Sequence, residues 1–337
     1  MRLDEVISGL AATANATPGG GVEISDLAYD NRRVTPGTLF FCVPGMTRDG
    51  HEFAPDAVAR GAAALVVERP LELGVPEVVV PDVRAAMAQA AARFYGDPSA
   101  TLQVVGVTGT NGKTTTAFLV RELLEADGRQ TGLLGTVKSV IGGVEHEVTR
   151  TTPEAIDLQR DFRAMLDGGD VACAIEVSSH ALELRRADAI HFAVALFTNL
   201  TQDHLDFHET MEGYFRAKQR LFEPDRARTA IVNLDDPYGA RLAAELTDPV
   251  TFAIDDETAT YRAQHVDTNQ IGSRFIVHFR GDATEITTPL RGRFNVYNIL
   301  GALAAVRALG VPIEAAAAAL HSAHLVPGRF QAVDAGQ

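Results

Sequence analysis

The residues that most directly indicate chemistry form the run GVTGTNGKTT at residues 106–115, between an apolar run that predicts a strand and a run that predicts a helix. It departs from the usual phosphate-binding pattern G-x-x-x-x-G-K-[ST], because Val107 stands where the first glycine is expected. Its glycines still allow backbone N–H groups to approach phosphate oxygens, and a helix N-terminus favours an anion. We therefore predict a nucleoside triphosphate site in which Lys113 reaches the terminal phosphates and Thr114 places its hydroxyl on Mg²⁺. An ordinary glycine-rich turn is the alternative.

Other polar residues that could complete such a site follow further apolar runs. Glu176 ends VACAIEV, and His204 lies in TNLTQDHLDFH, directly after another strand candidate. Strand ends in an open α/β sheet gather ligand groups, which makes both residues candidates. Taken alone, the glutamate could be a solvated turn residue and the histidine a structural one. Lys218 lies on the predicted helix EGYFRAKQRLF, where a solvated surface lysine is the alternative.

The elements that must position these residues follow two patterns. Up to about residue 98, alanine-rich helical stretches separate strand candidates, and the turn formers of residues 96–99 mark a boundary. From residue 102 onward, short apolar runs alternate with helical stretches, which predicts a mostly parallel sheet covered on both faces. Residues 261–290 alternate like antiparallel strands, which predicts an appended meander. The strand candidates are residues 38–43, 64–67, 77–80, 171–177, 192–198, 229–233 and 250–254, and the last predicted helices are residues 296–309 and 313–323.

These patterns predict an α/β protein with a small N-terminal α/β domain at residues 1–98 and a central domain with the phosphate-binding loop at residues 99–329. The Val-Pro-Gly turn near the end of the sequence is followed by an apolar strand start, which is typical of entry to another domain. We therefore expect residues 330–337 to be a linker stub to a C-terminal amino-acid-binding domain. On this interpretation the chain alone is an incomplete and inactive part of an enzyme.

Composition narrows the classes of function. The 337 residues carry a formal net charge of −14, which argues against nonspecific nucleic-acid binding, because that binding depends on basic patches. The sequence has no basic start followed by apolar residues and no window of roughly 18 consecutive apolar residues, so we expect a cytoplasmic protein without membrane insertion. Cys42 and Cys173 lie in apolar runs and are predicted to be buried reduced thiols. The sequence carries no signal for protein partners.

The phosphate-binding run TGTNGKTTT is similar to the signature of the Mur ligase and folylpolyglutamate synthetase superfamily, whose members activate a carboxylate by phosphorylating it with ATP. The segments EVSSHALELRR, TNLTQDHLDFH, EGYFRAKQRLF and GRFNVYNILGALAA extend the resemblance over the central domain. It implies that Glu176 binds Mg²⁺ beside the phosphates, that His204 ligates a second Mg²⁺, and that Lys218 is a carbamate with a negative oxygen ligand. Thr114, Glu176, His204 and carbamylated Lys218 are thus the expected metal ligands, and Lys113, Glu176, His204 and Lys218 the expected catalytic residues.

The same resemblance places two asparagines, Asn295 and Asn298, on the adenine side of ATP and Arg329 near the nucleotide. The two asparagines are about one helical turn apart. The alternative is that Asn295 serves only as the N-cap of the following helix. The predicted ATP-binding residues are Thr108, Gly109, Thr110, Asn111, Gly112, Lys113, Thr114, Thr115, Asn295, Asn298 and Arg329.

The N-terminal segment LAYDNRRVTPGTLFFCVPGMTRDGHEF resembles the UDP-binding domain of the Mur ligases that add the third residue of the peptidoglycan stem peptide. Asn31 stands where serine is usual, and an asparagine amide still offers hydrogen bonds to a uracil edge. The run RTTPEAIDLQ resembles the start of the acyl-substrate site of that group, although Thr152 could be a plain helix cap before Pro153. Leu184 stands where some members carry glutamine. The predicted UDP-substrate residues are Tyr29, Asn31, Met46, Thr47, Arg48, Thr151, Thr152, Ser178 and Arg186.

The resemblance implies a reaction in two steps. ATP phosphorylates the free γ-carboxylate of UDP-N-acetylmuramoyl-L-alanyl-D-glutamate, and the amine of meso-diaminopimelate or L-lysine then displaces phosphate from the acyl phosphate. The expected ligands are therefore ATP, Mg²⁺ and the UDP-muramoyl dipeptide. The next ligase in the pathway, folylpolyglutamate synthetase and a non-catalytic nucleotide-binding protein are the alternatives.

Overall fold

The structure is a computed structural model that describes residues 1–12, 21–45 and 47–323. The chain divides into two compact units. The first comprises residues 1–98, 153–163 and 184–189, and the second the remaining described residues. Two short segments beyond the predicted boundary at residue 98 therefore belong with the first unit. Met46, Arg329 and the predicted linker at residues 330–337 lie outside the described residues.

A four-stranded parallel sheet forms the centre of the first unit within its described residues. Successive residues of one strand serve opposite faces, as the alternation of strand side chains requires. Leu39 and Phe41 pack on one face with the long helix of the unit, whereas Phe40 packs on the other face with the short helix that precedes the third strand. The strands, in sheet order, are β1 (Asp26–Ala28), β2 (Thr38–Phe41), β3 (Ala62–Val67) and β4 (Glu77–Val79), and the helices are α1 (Leu3–Val6), α2 (Ala54–Ala59) and α3 (Val83–Phe94).

An eleven-stranded mixed sheet runs through the described part of the second unit. In chain order its strands are β5 (Gln103–Thr108), β6 (Thr131–Leu134), β7 (Ser139–Ile141), β8 (Val144–His146), β9 (Ala172–Glu176), β10 (Phe192–Phe197), β11 (Ala227–Asn233), β12 (Val250–Ala253), β13 (Tyr261–Thr268), β14 (Ser273–Phe279) and β15 (Asp282–Thr288). Their order in the sheet is β15-β14-β13-β12-β11-β10-β5-β9-β6-β7-β8. The seven strands from β13 to β6 in this order are parallel, and the strands at both ends are antiparallel.

Helices alternate with the strands, as the sequence pattern predicted, and the last two helices follow the final strand β15. They are α4 (Lys113–Ala126), α5 (Ala155–Asp167), which begins in the first unit, α6 (Ser179–Glu183), α7 (Leu205–His208), α8 (Met211–Gln219), α9 (Pro237–Glu245), α10 (Arg293–Ala308) and α11 (Ile313–Leu320). Strand and helix residues such as Val105, Leu196, Leu123 and Leu300 share one buried cluster. In the described parts of the chain, the longest helices are too short or too polar to cross a membrane.

The predicted fold class is confirmed, including the parallel sheet and the appended meander. The sequence analysis missed β1 and the β7–β8 hairpin, because runs of three residues carry too little periodicity to be recognised. Several predicted strands and helices also end further toward the C-terminus than the observed ones do. Helix α10 begins at Arg293 with Gly292 as its N-cap, so Asn295 lies inside the first turn and the alternative role of Asn295 as an N-cap is wrong.

Helix α8 carries Lys218 and begins with a side-chain cap. The Thr210 hydroxyl accepts a hydrogen bond of 3.0 Å from the backbone N–H of Gly213. Such a cap satisfies a donor that the first helical turn leaves without an intrahelical partner. The cap therefore fixes where α8 starts and, with it, where Lys218 lies.

We predict that Thr210→Ala lowers the free energy of unfolding by about 1 kcal/mol, because the capping acceptor is lost. Thr210→Ser keeps the hydroxyl and should stay within a few tenths of a kcal/mol of the unsubstituted protein. Urea unfolding followed by circular dichroism measures both. An equal loss for the two variants would show that the methyl group, and not the cap, stabilises this helix.

Candidate functional site

The predicted phosphate-binding loop connects β5 to α4 at the carboxyl edge of the parallel sheet. Its last residue, Gly112, has φ +87° and caps α4, and a Cβ atom there would collide with the side-chain amide of Asn298. The Lys113 ammonium folds back over the loop and donates to the carbonyl oxygens of Gly109 and Thr110, at 2.9 Å each. A phosphate entering the loop would therefore meet a cation that is already held above it.

The carboxyl end of the adjacent strand β10 braces this loop. Asn199 makes a two-way pair with the backbone of Asn111, accepting from its N–H at 3.0 Å and donating to its carbonyl at 3.1 Å. The Thr198 hydroxyl donates to the same carbonyl at 2.6 Å, and the N–H of Thr110 donates to the Asn199 carbonyl at 2.8 Å. The sequence analysis missed both residues, although the polar TNLT run after β10 could have indicated them.

Glu176 lies at the end of β9, on the other side of β5, and is 1% exposed. Its carboxylate accepts from the Thr114 hydroxyl at 2.9 Å and from the backbone N–H of Thr136 at 2.7 Å. These groups line a cavity of about 190 Å³ together with Lys113 and His204. The structure thus brings Lys113, predicted to bind phosphate, and Glu176 and Thr114, predicted to bind the metal, to one small cavity.

Lys218 is buried, with 1% of its surface exposed, so the alternative of a solvated surface lysine is wrong. Its Nζ donates to the Gly109 carbonyl at 2.8 Å and lies 4.5 Å from the centre of the Tyr214 ring. Burial lowers the pKa of Lys218 well below its usual value, and the nearby charge of Lys113 lowers it further. Burial therefore makes the ammonium form of Lys218 less favourable than it is in water.

His204 also lines the small cavity and adopts left-handed backbone angles, with φ +51°. Its ring lies in a cluster with other aromatic side chains, 4.9 Å from His180. In the same cluster, His208 lies 2.9 Å from the Ser179 hydroxyl. Burial, together with the neighbouring His180 and Lys218, lowers the pKa of His208 to about 4. We therefore expect the half-buried ring of His208 to be neutral at neutral pH.

The metal site predicted from the sequence is only partly formed by side chains as they stand. Across residues 1–12, 21–45 and 47–323, no three His, Cys, Asp or Glu side chains are grouped so that they could hold a metal ion. The hydroxyl of Thr114 and the carboxylate of Glu176 are nonetheless the hard oxygen donors that Mg²⁺ prefers. A lysine ammonium is no ligand, so Lys218 fits a metal site only after conversion to a carbamate.

A larger cavity of about 660 Å³ adjoins the other side of the loop and contains Asn295 and Asn298. The two predicted residues contact each other, because the Asn298 amide donates to the Asn295 oxygen at 3.0 Å. Asp235 and Tyr297, which the sequence analysis missed, line the same cavity and share a hydrogen bond of 2.8 Å. Burial and the neighbouring Asp235 raise the pKa of Tyr297 to about 12. Phe294 adds a large apolar ring, 44% exposed, to the lining.

In the first unit, Tyr29 lines a cavity of about 390 Å³ together with Arg32, Arg33, Asp157 and Arg160. The Tyr29 hydroxyl donates to Asp157 at 2.7 Å, and Arg33 pairs with the same carboxylate at 3.1 Å. The cavity therefore combines an aromatic ring with guanidinium groups, which suits an anionic ligand that carries a ring.

Other predicted UDP-substrate residues in this unit have local partners. The Asn31 amide donates to Asp56 at 2.8 Å, and Arg48 pairs with Glu52 at 3.0 Å. Arg186 pairs with the buried Glu154 at 2.9 Å. Thr47 lies in the loop that ends at Asp49, whose carboxylate is bonded to the buried His51 ring at 2.6 Å and to Arg69 at 2.7 Å.

The remaining predicted substrate residues lie in the second unit, close to Glu176. The Thr152 hydroxyl donates to the Glu176 backbone carbonyl at 2.9 Å and accepts from the Ser178 N–H at 3.1 Å. Helix α5 starts only at Ala155, so the alternative of Thr152 as a plain helix cap is wrong. Thr151 and Ser178 both line the small cavity. The predicted UDP-substrate set is therefore divided between the two units.

Comparison with protein families agrees with this geometry. A family model for the Mur ligase middle domain matches residues 107–306, and one for the Mur ligase family catalytic domain matches residues 23–95. The chain therefore belongs to the Mur ligase family.

Relatives named UDP-N-acetylmuramoyl-L-alanyl-D-glutamate–2,6-diaminopimelate ligase occur in several bacteria. That of Geobacillus kaustophilus is 45% identical over 95% of this chain and 67% of its own length. That of Streptomyces coelicolor is 44% identical over 96% of this chain and 65% of its own length. The chain thus spans about two thirds of the length of the curated relatives that it matches.

Solved structures show the same relationship. A structure of a ligase with that name has a TM-score of 0.83 and 30% identity over 92% of this chain and 65% of its own. A MurF ligase from Thermotoga maritima in complex with ADP has a TM-score of 0.61 and 21% identity, over 92% of this chain and 68% of its own. The second likeness is evidence of a shared fold alone.

We predict that Asn199→Ala weakens ADP binding about tenfold or more, because both hydrogen bonds to the Asn111 backbone are lost and each is worth about 1 kcal/mol. Calorimetric titration with ADP measures the affinity. Asn269→Ala, which removes an asparagine from the exposed β13–β14 turn, is the matched control and should leave affinity unchanged. An Asn199→Ala protein that binds ADP as tightly as the control would show that the loop needs no brace.

Proposed function

We propose that this chain provides the UDP-substrate and ATP sites of a ligase that joins a diamino acid to UDP-N-acetylmuramoyl-L-alanyl-D-glutamate in peptidoglycan synthesis. The observation that carries the proposal is the convergence of Lys113, Thr114, Glu176 and His204 on one cavity of about 190 Å³. The names of the relatives favour 2,6-diaminopimelate over L-lysine as the diamino acid. Cys42 and Cys173 are both buried thiols, which supports a cytoplasmic location.

ATP is the proposed nucleotide because the two cavities on either side of the loop suit its two ends. The small cavity offers a lysine, backbone N–H groups and the start of α4 to the phosphates. The cavity of about 660 Å³ offers the Asn295 and Asn298 amides and the Phe294 ring to the base. Asp235 in this cavity accepts from the N–H groups of Ile254, Asp255 and Asp256 at 2.7 to 2.9 Å, which fixes its carboxylate.

The UDP part of the substrate is assigned to the first unit. There the Tyr29 ring and the Arg33 and Arg160 guanidinium groups line the cavity of about 390 Å³, and guanidinium groups suit diphosphate oxygens. The acyl part is assigned to Thr151, Thr152 and Ser178, which lie beside Glu176 in the second unit. The first unit disfavours a folylpolyglutamate-type ligase, since that reaction uses no UDP substrate.

In the proposed reaction, the γ-carboxylate of the substrate attacks the γ-phosphorus of ATP and ADP leaves. The resulting acyl phosphate is attacked by the diamino acid amine, and a C–N bond replaces the C–O bond as phosphate departs with loss of a proton. Lys113 would stabilise negative charge on the transferred phosphoryl group, which is the main electrostatic task in such transfers. Thr114 and Glu176 would hold Mg²⁺, which when bound supplies charge neutralisation at the phosphates.

Carbamylation of Lys218 is part of the proposal, and the burial of its amine supports it. A neutral amine adds to CO₂ to give a carbamate and releases one proton, so lowering the pKa of the amine favours the reaction. The product carries a negative charge close to Lys113, where the unmodified ammonium would be repelled. It would also supply the oxygen ligand that a lysine lacks.

We predict that the purified protein incubated with ¹³C-bicarbonate shows a carbamate carbonyl resonance by ¹³C NMR. The resonance should be absent from Lys218→Ala and retained in Lys138→Ala, a lysine whose amine is paired with Glu145. A carbamate signal that persists without Lys218, or a spectrum with none at saturating bicarbonate, would refute the modification at this residue.

We further predict that Lys113→Ala and Glu176→Ala separate the two sites. Both should weaken the binding of ADP with Mg²⁺ about tenfold or more, because a charge-assisted hydrogen bond to phosphate or an oxygen ligand is lost. UDP binding should change by less than about twofold, since its proposed residues lie in the other unit. Calorimetric titrations with each ligand decide the matter. Equal loss of both ligands would indicate unfolding or a wrong assignment, and an unsubstituted protein that binds neither would overturn the proposed function.

A further inference from the structure

The two carboxylate oxygens of Glu176 have different partners. Oε1 accepts from the backbone N–H of Thr136 at 2.7 Å. Oε2 accepts from two hydroxyls, that of Thr114 at 2.9 Å and that of Thr136 at 3.2 Å. One oxygen is thus anchored on a backbone amide that cannot rotate away, whereas the other faces groups that line the small cavity.

The backbone at Gly135 and Thr136 lies close to the Glu176 carboxylate. Gly135 precedes Thr136 at the end of β6, and a Cβ atom on Gly135 would collide with Oε1 of Glu176. The absence of a side chain lets the backbone come near enough for the N–H of Thr136 to reach the carboxylate. Thr136 therefore contacts Glu176 through both its backbone and its side chain, although the residue itself is exposed.

Proton counting fixes the direction of a further hydrogen bond. A threonine hydroxyl has one proton and two lone pairs. Because Thr136 gives its proton to the Glu176 carboxylate, the contact of 3.1 Å between the hydroxyls of Thr136 and Thr151 must be donated by Thr151. A directed chain thus runs from Thr151 through Thr136 to Oε2 of Glu176. By the same count, the Thr114 oxygen keeps its lone pairs available.

We propose that Thr136 is the positioning residue that aims Glu176 at the metal ion, and that Thr151 orients the Thr136 hydroxyl. The proposal rests on the proposed function, in which Glu176 and Thr114 hold Mg²⁺. Groups that hydrogen-bond to a metal ligand fix its orientation, and their loss typically costs about 10- to 100-fold in metal affinity. Thr151, one of the predicted acyl-substrate residues, is thereby connected to the metal side of the cavity by two hydrogen bonds.

The test is the Mg²⁺ dependence of nucleotide binding, measured by calorimetry with a non-hydrolysable ATP analogue at a series of Mg²⁺ concentrations. Thr136→Val should raise the Mg²⁺ concentration for half-maximal enhancement about tenfold or more. Affinity for the analogue without Mg²⁺ and the melting temperature should stay unchanged, because Lys113 and the loop are intact. Thr136→Ser restores the hydroxyl and should restore the Mg²⁺ response. Thr151→Val should give a smaller shift in the same direction.

Thr131→Val is the matched control, since Thr131 lies at the start of the same strand β6 and its hydroxyl donates only to a local carbonyl, that of Arg129, at 2.8 Å. It should respond to Mg²⁺ like the unsubstituted protein. A Thr136→Val protein with the same Mg²⁺ response as this control would overturn the proposal, as would a loss of affinity that is equal with and without Mg²⁺. A normal response of Thr151→Val would overturn the role of Thr151. An unsubstituted protein that binds no nucleotide would instead overturn the proposed function.

Discussion

The parallel pairing of β5 with its two neighbours is the constraint on which the site depends. In the register of the sheet, Val107 of β5 lies beside Glu176 of β9, and Thr108 lies beside Phe197 of β10. The ladder continues past the strands, with the Val177 N–H donating to Val107 at 2.8 Å and the Thr198 N–H to Thr108 at 3.0 Å. Three chain segments therefore leave the sheet at one level and one edge, which is where open α/β sheets place ligands.

This arrangement lets the two neighbouring strands hold the loop from both sides. The β9 side supplies the carboxylate that receives the Thr114 hydroxyl, and the β10 side supplies Asn199 and Thr198, which hold the Asn111 backbone. Each contact comes from a residue at the end of a buried strand or within two residues beyond it, so the rigidity of the sheet is transmitted directly to the loop. Preorganised donors of this kind are the usual source of electrostatic stabilisation in phosphoryl transfer.

The sequence predicted the parts of this site that depend on local pattern. The strand, loop and helix around Lys113 and the strand end at Glu176 could be read because short apolar runs and glycines carry a strong local signal. The family resemblance supplied the role of Lys218, and its spacing of four and three residues from Tyr214 and Phe215 also places it on the buried face of α8. Thr136, Asn199 and Asp235 were missed because their roles arise from partners that are 40, 88 and 62 residues away in the sequence, at Glu176, Asn111 and Tyr297. The short strands β7 and β8 were not predicted for a different reason: they form because they pair with neighbouring strands, and not through the strand propensity of their own residues.

The charges around Gly109 indicate what the site requires. Its carbonyl oxygen accepts from both Lys113 and Lys218, at 2.9 and 2.8 Å, so two amines converge on one neutral acceptor. Two ammonium groups in such a position repel each other, and that of Lys218 is almost fully buried, which is costly for a charge. Two changes would relieve this repulsion. An anionic phosphate would draw Lys113 away from the carbonyl, and loss of the Lys218 proton, followed by carbamate formation, would convert a buried cation into an anion. Both changes belong to the proposed function, in which the loop receives a nucleotide phosphate, so the same repulsion that disfavours two cations at Gly109 favours an anionic ligand there.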